Sequence, residues 1–321
     1  MEAIRDEAID RAPLKGKRVA IIGYGNQGRA QALNLNDSGI DVVVGLRDGS
    51  PSLHVAQADG IATASLAEAA ASADIVMLLA PDEVLAAIYR VVQPYLREGA
   101  ALGFSHGLAI RFGFIAPRPD LDVFMLAPKG PGTALRSLYL EGKGMVALYA
   151  VAQDKSGQAE AIALAYGQAL GCGRAGILPS TFAEECEADL FNENAVVWGA
   201  VPEILIAGFD TLVAAGVSDE VAYMECVGEL KLIAELIEAR GIAGMREAIS
   251  NTAELGAVLG GPRIVDDGVR ARMKAVLDDI RDGHFSALLS DEEASAYPRL
   301  RAAREKARSL RVEQARKKLE S

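Results

Sequence analysis

Apolar residues follow two different rhythms along this chain. Residues 19–22 form a short continuous apolar run of the kind found in strands buried on both faces, and 41–44, 75–79, 100–104 and 123–126 read as further short, mainly apolar strands. They alternate with stretches of helical period at residues 30–38 and 66–72 and from residue 81 onward, and two further runs, 144–151 and 174–178, flank a helical pattern over 158–170. Such alternation predicts an α/β sheet. Beyond Pro179 the strand signal stops and helical periodicity takes over, so the pattern divides the chain into an α/β domain over residues 1–180 and an all-helical domain over 181–321.

The turns between these runs carry the first chemistry. Residues 19–22 lead at once into Gly23-Tyr24-Gly25-Asn26-Gln27-Gly28 and then a helical pattern. Strand, GxGxxG and helix in that order form a dinucleotide fingerprint: the glycines let the backbone turn and approach a pyrophosphate seated on the helix N-terminus. That makes the first domain a Rossmann domain. Where the second strand should end, the chain offers Arg47, Ser50 and Ser52 beside Asp48. An arginine and two hydroxyls suit a ribose 2′-phosphate, which predicts NADP(H). His106 follows the run at 100–104 and Lys129 the run at 123–126, so both fall at strand ends, where open α/β sheets place ligands.

The helical half carries two acidic pairs, Asp189 with Glu193 and Glu225 with Glu229, each four residues apart and flanked by apolar residues. On a helix each pair shares a face, and two such pairs on facing helices would hold a hard divalent cation, Mg²⁺ or Mn²⁺ rather than Zn²⁺.

Composition narrows the function class. A formal net charge of −11 argues against nucleic acid or an anionic membrane as the principal partner. Cys172, Cys186 and Cys226 are widely spaced without a CxxC, as in a cytoplasmic protein with reduced thiols. The acidic N-terminal stretch lacks the apolar core of a signal peptide. The apolar run at residues 195–216 is interrupted by Pro202, Glu203 and Asp210 and reads as a buried core helix, while the basic tail at 299–318 reads as a solvated helix.

Taken in order, IIGYGNQG, VVVGLRDGSPS, PDEV, FSHG, DVFMLAPKGPG, EGKG, DLFNE, ECVGELKLI and ISNTAE resemble ketol-acid reductoisomerases of the short-chain class I over nearly the whole chain. The resemblance implies a Rossmann domain followed by a knotted all-α domain. It also implies an enzyme that migrates an alkyl group within a 2-acetohydroxy acid such as 2-acetolactate and reduces the product with NADPH, in valine and isoleucine biosynthesis. Carried over by motif, Tyr24, Gly25, Asn26, Gln27, Arg47, Ser50, Ser52, Asp82, Glu83, Val84, Leu85 and Gly132 are cofactor contacts. Asp189, Glu193, Glu225 and Glu229 hold two Mg²⁺, with Asp189 bridging, and Ser250 touches substrate. His106 matches an active-site histidine; Lys129 would add charge stabilisation, and Glu229 could hold or pass a proton. The chain departs from the pattern at Arg29 and Gln31, where histidines are usual, at Leu85, usually glutamine, and at Trp198, a bulky ring expected beside the metal pocket. Long apolar helices in the second half predict a homo-oligomer, at least a dimer, with the site near its interface. The competing expectations are a diverged reductoisomerase acting on another 2-keto acid or imine, a metal-independent NADP dehydrogenase, and a nucleotide-binding protein without catalysis.

Overall fold

The computed structural model describes residues 2–320. They form two compact units, one running to Cys186 and the other from Glu187 onward, divided within a helix a little past residue 180.

In the first unit, strands β1 (Arg18–Ile22), β2 (Asp41–Leu46), β3 (Ala62–Ser65), β4 (Ile75–Leu78), β5 (Ala101–Phe104), β6 (Asp122–Pro128), β7 (Ala147–Gln153) and β8 (Ile177–Pro179) make one sheet. Their order is β3-β2-β1-β4-β5-β6-β7-β8. Neighbours run parallel except β6 and β7, which pair antiparallel from Pro128↔Ala147 to Val123↔Gln153. Helices α1 (Asn26–Asp37), α2 (Ser52–Ala58), α3 (Leu66–Ser72), α4 (Asp82–Val92), α5 (Leu108–Arg111), α6 (Gly132–Leu140) and α7 (Ala159–Ala169) connect them. Successive strand side chains point to opposite faces, so two cores form. Ile21, Met77 and Phe124 meet Leu35 of α1 and Tyr166 of α7, while Ile22, Leu78 and Met125 meet Tyr89 and Val92 of α4. A strand serving both cores must be apolar at every position, which is why the central strands read as continuous runs.

Edge strand β3, Ala-Thr-Ala-Ser, escaped that pattern because it pairs only with β2 and is half exposed. The parallel strands β1, β2, β4 and β5, and β6 beside them, end at one edge. There they gather the glycine loop, residues 47–52, the start of α4, Ser105–Gly107 and the Lys129 turn.

The second unit is helical: α8 (Phe182–Ala195, which begins in the first unit), α9 (Ala200–Ala214), α10 (Asp219–Tyr223), α11 (Leu230–Ala248), α12 (Asn251–Ile264), α13 (Asp267–Arg281), α14 (His284–Ala294), α15 (Pro298–Ser309) and α16 (Arg311–Glu320). Residues 224–228 wind as a π-helical turn between α10 and α11. Gly241, at φ 68° and ψ 176°, breaks α11 into two pieces at a conformation that side chains other than glycine's rarely adopt.

Two expectations change here. The run at residues 195–216 is not a buried core helix: α9 buries only Phe209 completely, and Ile204 is 49% exposed. By length and composition Phe182–Ala214 could cross a bilayer, but a turn at residues 196–199 interrupts it and α8 brings five carboxylates. The tail is not merely solvated either. Val312 and Ala315 of α16 pack with Phe209 and Ala222, and Arg311 grips Asp219 through both ends of its guanidinium, at 2.9 and 2.7 Å.

Candidate active site

The glycine loop is built for close approach. Gly23 has φ +102°, and a Cβ there would lie 2.9 Å from the Leu79 carbonyl; a Cβ on Gly28 would lie 2.4 Å from the Gly23 carbonyl. Only glycine lets α1 draw this near to β1 and β4. A Cβ on Gly25 would meet nothing within 4 Å, so open space lies before the N-terminus of α1, where a phosphate finds N–H groups and the positive end of the helix dipole. Tyr24 donates its hydroxyl to Asp59 (2.9 Å), and Arg29 clasps the same carboxylate at 2.7 and 2.8 Å. Those charge-assisted bonds hold Asp59 below the usual aspartate pKa, Arg29's first among them. The Asn26 amide oxygen accepts from the Thr133 N–H, and a Cβ on Gly132 would collide with the Asn26 carbonyl. Tyr24, Gly25, Asn26, Arg29, Gly132 and Arg136 thereby line a cavity of about 460 Å³. A larger one, about 690 Å³, is lined instead by Arg11, Lys15, Arg174 and neighbours and touches none of the expected site residues.

At the end of β2, Arg47 is exposed, and no side-chain partner for its guanidinium is present among the described residues. Ser50 accepts from the Ser52 N–H at 3.4 Å. Asp82, Glu83 and Val84 open α4 half-buried, whereas Leu85 is 3% exposed and belongs to the core. As a cofactor contact Leu85 is therefore limited to the wall of a small cavity of about 150 Å³, shared with Gln27, Asp82 and His106.

The strand-end residues converge on a carboxylate not singled out from sequence. Glu185 is 1% exposed; its Oε2 lies 3.1 Å from His106 Nδ1 and accepts the Gly107 N–H at 2.8 Å, while its Oε1 accepts from Lys129 Nζ at 3.1 Å. A Cβ on Gly107 would lie 2.1 Å from the Phe182 carbonyl, so glycine lets this loop press against the start of α8. Burial opposes a charge on His106 most strongly. Hydrogen bonds to Cys186 and Glu185, with the charges of Glu185 and Asp82, overcome it and raise the imidazole pKa well above its ordinary value. Burial likewise acts to raise Glu185, but His106, Lys129 and the Gly107 N–H together keep it lowered and ionised. The result is a buried anion flanked by two cations. Glu185 stands one helical turn before Asp189 on α8, a spacing that could have marked it in the sequence as it marked Asp189 and Glu193.

The remaining acids are placed differently from expectation. Asp189 is half-buried and Glu193 exposed on α8; Glu225 lies in the π-helical turn and Glu229 just after it, both exposed. Among the described residues no three of these four carboxylates come within reach of one ion, so one chain does not form the expected facing clamp. The wider winding at 224–228 also removes the regular α-helical spacing assumed for Glu225 and Glu229. Ser250 is exposed and caps α12, accepting the Ala253 N–H at 3.2 Å. Trp198 stands on the turn between α8 and α9 and is 65% exposed.

Comparison with known proteins bears on the fold and the family. Residues 13–176 match the acetohydroxy acid isomeroreductase NADPH-binding domain, and residues 182–321 match the ketol-acid reductoisomerase C-terminal domain. The structure of an NADH-preferring ketol-acid reductoisomerase from an uncultured archean is similar at TM-score 0.96 and 44% identity, over 100% of this chain and 98% of that one. A putative oxidoreductase from Jannaschia sp. CCS1 shares the fold alone, at TM-score 0.62 and 18% identity over 83% of this chain and 97% of that one. The same holds for a semialdehyde dehydrogenase NAD-binding protein from Cupriavidus necator, at 0.60 and 20% over 83% and 99%. With a dinucleotide cradle, a carboxylate-bound histidine and lysine at its rim, and both family domains in order along the sequence, the chain belongs to the ketol-acid reductoisomerase family.

Proposed function

We propose that this reductoisomerase acts on 2-acetolactate or a close 2-acetohydroxy acid, uses two Mg²⁺ and NADPH, and yields a 2,3-dihydroxy acid for valine and isoleucine synthesis in the cytoplasm. The observation that carries the proposal is Glu185 joining His106 and Lys129 beside the glycine cradle, with Asp189 one turn further along the same helix. Asp189, Glu193, Glu225 and Glu229 offer only hard oxygen donors, which suit Mg²⁺. When bound, the metal ions would polarise the oxygens borne by the two neighbouring carbons between which the alkyl group moves, and the nicotinamide would supply hydride to the new ketone. The chain's own part is electrostatic and positional. Glu185 holds the Lys129 ammonium at the strand edge, where it can stabilise an alkoxide, and keeps His106 cationic and oriented. In this reading Glu229 holds a proton and Ser250 contacts substrate. Gly25 leaves room for the pyrophosphate, while Arg47, Ser50 and Ser52 favour a 2′-phosphate.

Because the four carboxylates do not meet within one chain and the second unit exposes many apolar residues, we also propose that the working form is a homo-oligomer, at least a dimer, whose second copy completes the metal site. The test of function is oxidation of NADPH with 2-acetolactate, with and without Mg²⁺. Mg²⁺-dependent turnover is expected. Equal turnover with the metal chelated would instead support a metal-independent dehydrogenase.

A further inference from the structure

We infer that Gln31 is the positioning residue that fixes three ligand-bearing loops of the first unit relative to one another, through a hydrogen-bond polarity that an ionisable side chain in that place does not reproduce. The inference rests on the functional reading above for the importance of those loops, but its geometry stands by itself. Gln31 lies on α1 and is 0% exposed. Its amide nitrogen donates to Ser105 Oγ at 2.9 Å and to Gln27 Oε1 at 3.1 Å, and its amide oxygen accepts from the fully buried Tyr166 hydroxyl at 2.7 Å. Ser105 in turn donates to the Leu126 carbonyl at 2.9 Å, and Gln27 Nε2 to the Gly130 carbonyl at 2.8 Å. Gln27 sits in the glycine loop, Ser105 immediately precedes His106, and Gly130 immediately follows Lys129. One side chain thus touches the glycine loop and the loop before His106 directly, and the Lys129 turn through Gln27.

The direction of each bond is dictated by the ends of the network. Backbone carbonyls only accept, so Ser105 must spend its one proton on Leu126 and Gln27 must turn its NH₂ toward Gly130. Both then present acceptors to position 31, which must supply two donors on that side and one acceptor toward Tyr166. A glutamine amide does this without charge. A neutral imidazole has one donor, an imidazolium has two donors but no acceptor, and a carboxylate has no donor. A histidine at this position would therefore leave at least one of these groups without its partner, and the glutamine is matched to Ser105, Gln27 and Tyr166 as a set.

The experiment compares Gln31→Glu and Gln31→Leu with the parent in the full-length protein. It measures thermal midpoint, NADPH affinity by nucleotide fluorescence, and kcat for 2-acetolactate across pH, at temperatures well below unfolding. For Gln31→Glu at alkaline pH we expect kcat to fall and NADPH Kd to rise, each by about ten- to a hundredfold. Both should recover in part as pH falls and the carboxyl regains a proton to donate, giving an ionisation absent from the parent. Gln31→Leu should show the losses without the recovery. Folded variants with parental kcat, Kd and pH profile, or with a lowered thermal midpoint alone, would overturn the inference. If neither variant folds, Ser105→Ala removes one arm at a less buried position and should lower kcat while sparing NADPH affinity; parental kcat in that variant refutes the role. Should the parent itself show no turnover, the functional reading fails, while NADPH fluorescence still decides the role of Gln31.

Discussion

Glu185 shows how much one residue can organise. A glutamine there keeps the shape, but it cannot hold an ammonium, an imidazolium and a backbone N–H by charge-assisted bonds. Glu185→Gln is expected to lower kcat by roughly 10- to 100-fold, the cost typical of removing a group that orients others, while NADPH fluorescence titration shows nearly parental affinity. Parental kcat in this variant would mean that Lys129 and His106 need no anchor. At the other end of the site Arg47, Ser50 and Ser52 are the residues proposed to choose the cofactor. Changing both serines to Asp brings two negative charges to the expected 2′-phosphate and should turn the ratio of kcat/KM values from NADPH toward NADH. The NADH-preferring relative makes this ratio informative in the parent too; a parent that uses both equally would remove the 2′-phosphate assignment.

Among the elements, the glycine loop and α2 are tied by Asp59, which receives Tyr24 and both arms of the Arg29 fork. Its folded pKa is depressed below the ordinary 3.8. The stabilisation is therefore complete above that value and is lost as pH falls through the lower folded one. Asp59→Asn should cost roughly 1 kcal/mol near neutral pH, at the low end because Arg29 is half exposed, and the loss should shrink at acid pH, as the carboxylate gains its proton in the folded state too. Urea titrations at the two pH values check this; an equal loss at both would mean that packing, not charge, holds the loop. Such ties between distant elements were not legible in the sequence. The central strands were, since β1, β4, β5 and β6 must be apolar on both faces, and the GxGxxG turn was, since its glycines answer to steric demands that a spacing records. Edge strand β3 was not, because pairing on one side asks little of Ala62 to Ser65. Glu185 was present in a stretch already marked as acidic, but which carboxylate of a helix turns inward depends on what packs there, and the Ser105–Gly107 loop comes from far away in the chain.

For the molecule as a whole, what the single chain leaves uncovered is the informative feature. Leu232, Ile242, Leu255, Leu259 and Ile264 are each at least 60% exposed in the second unit, more apolar surface than a soluble monomer ordinarily presents. Glu225 and Glu229 are exposed on the same unit and do not join Asp189 and Glu193 around one ion. The proposed dimer would answer both facts, with a second copy covering the apolar helices and bringing its own Glu225 and Glu229 to the other chain's Asp189 and Glu193. Two inactive chains can test it. Glu193→Gln and Glu225→Gln should each abolish turnover alone. When they are mixed by unfolding and refolding, a site shared between copies leaves each mixed dimer with one centre that draws both wild-type carboxylates from different chains. About half the dimers are mixed and half their centres intact, so roughly a quarter of parental activity should return in a two-fold symmetric assembly. If all four ligands came from one chain, every centre in the mixture would still lack a carboxylate and no activity would return, and a monomeric mass by light scattering at micromolar concentration would point the same way.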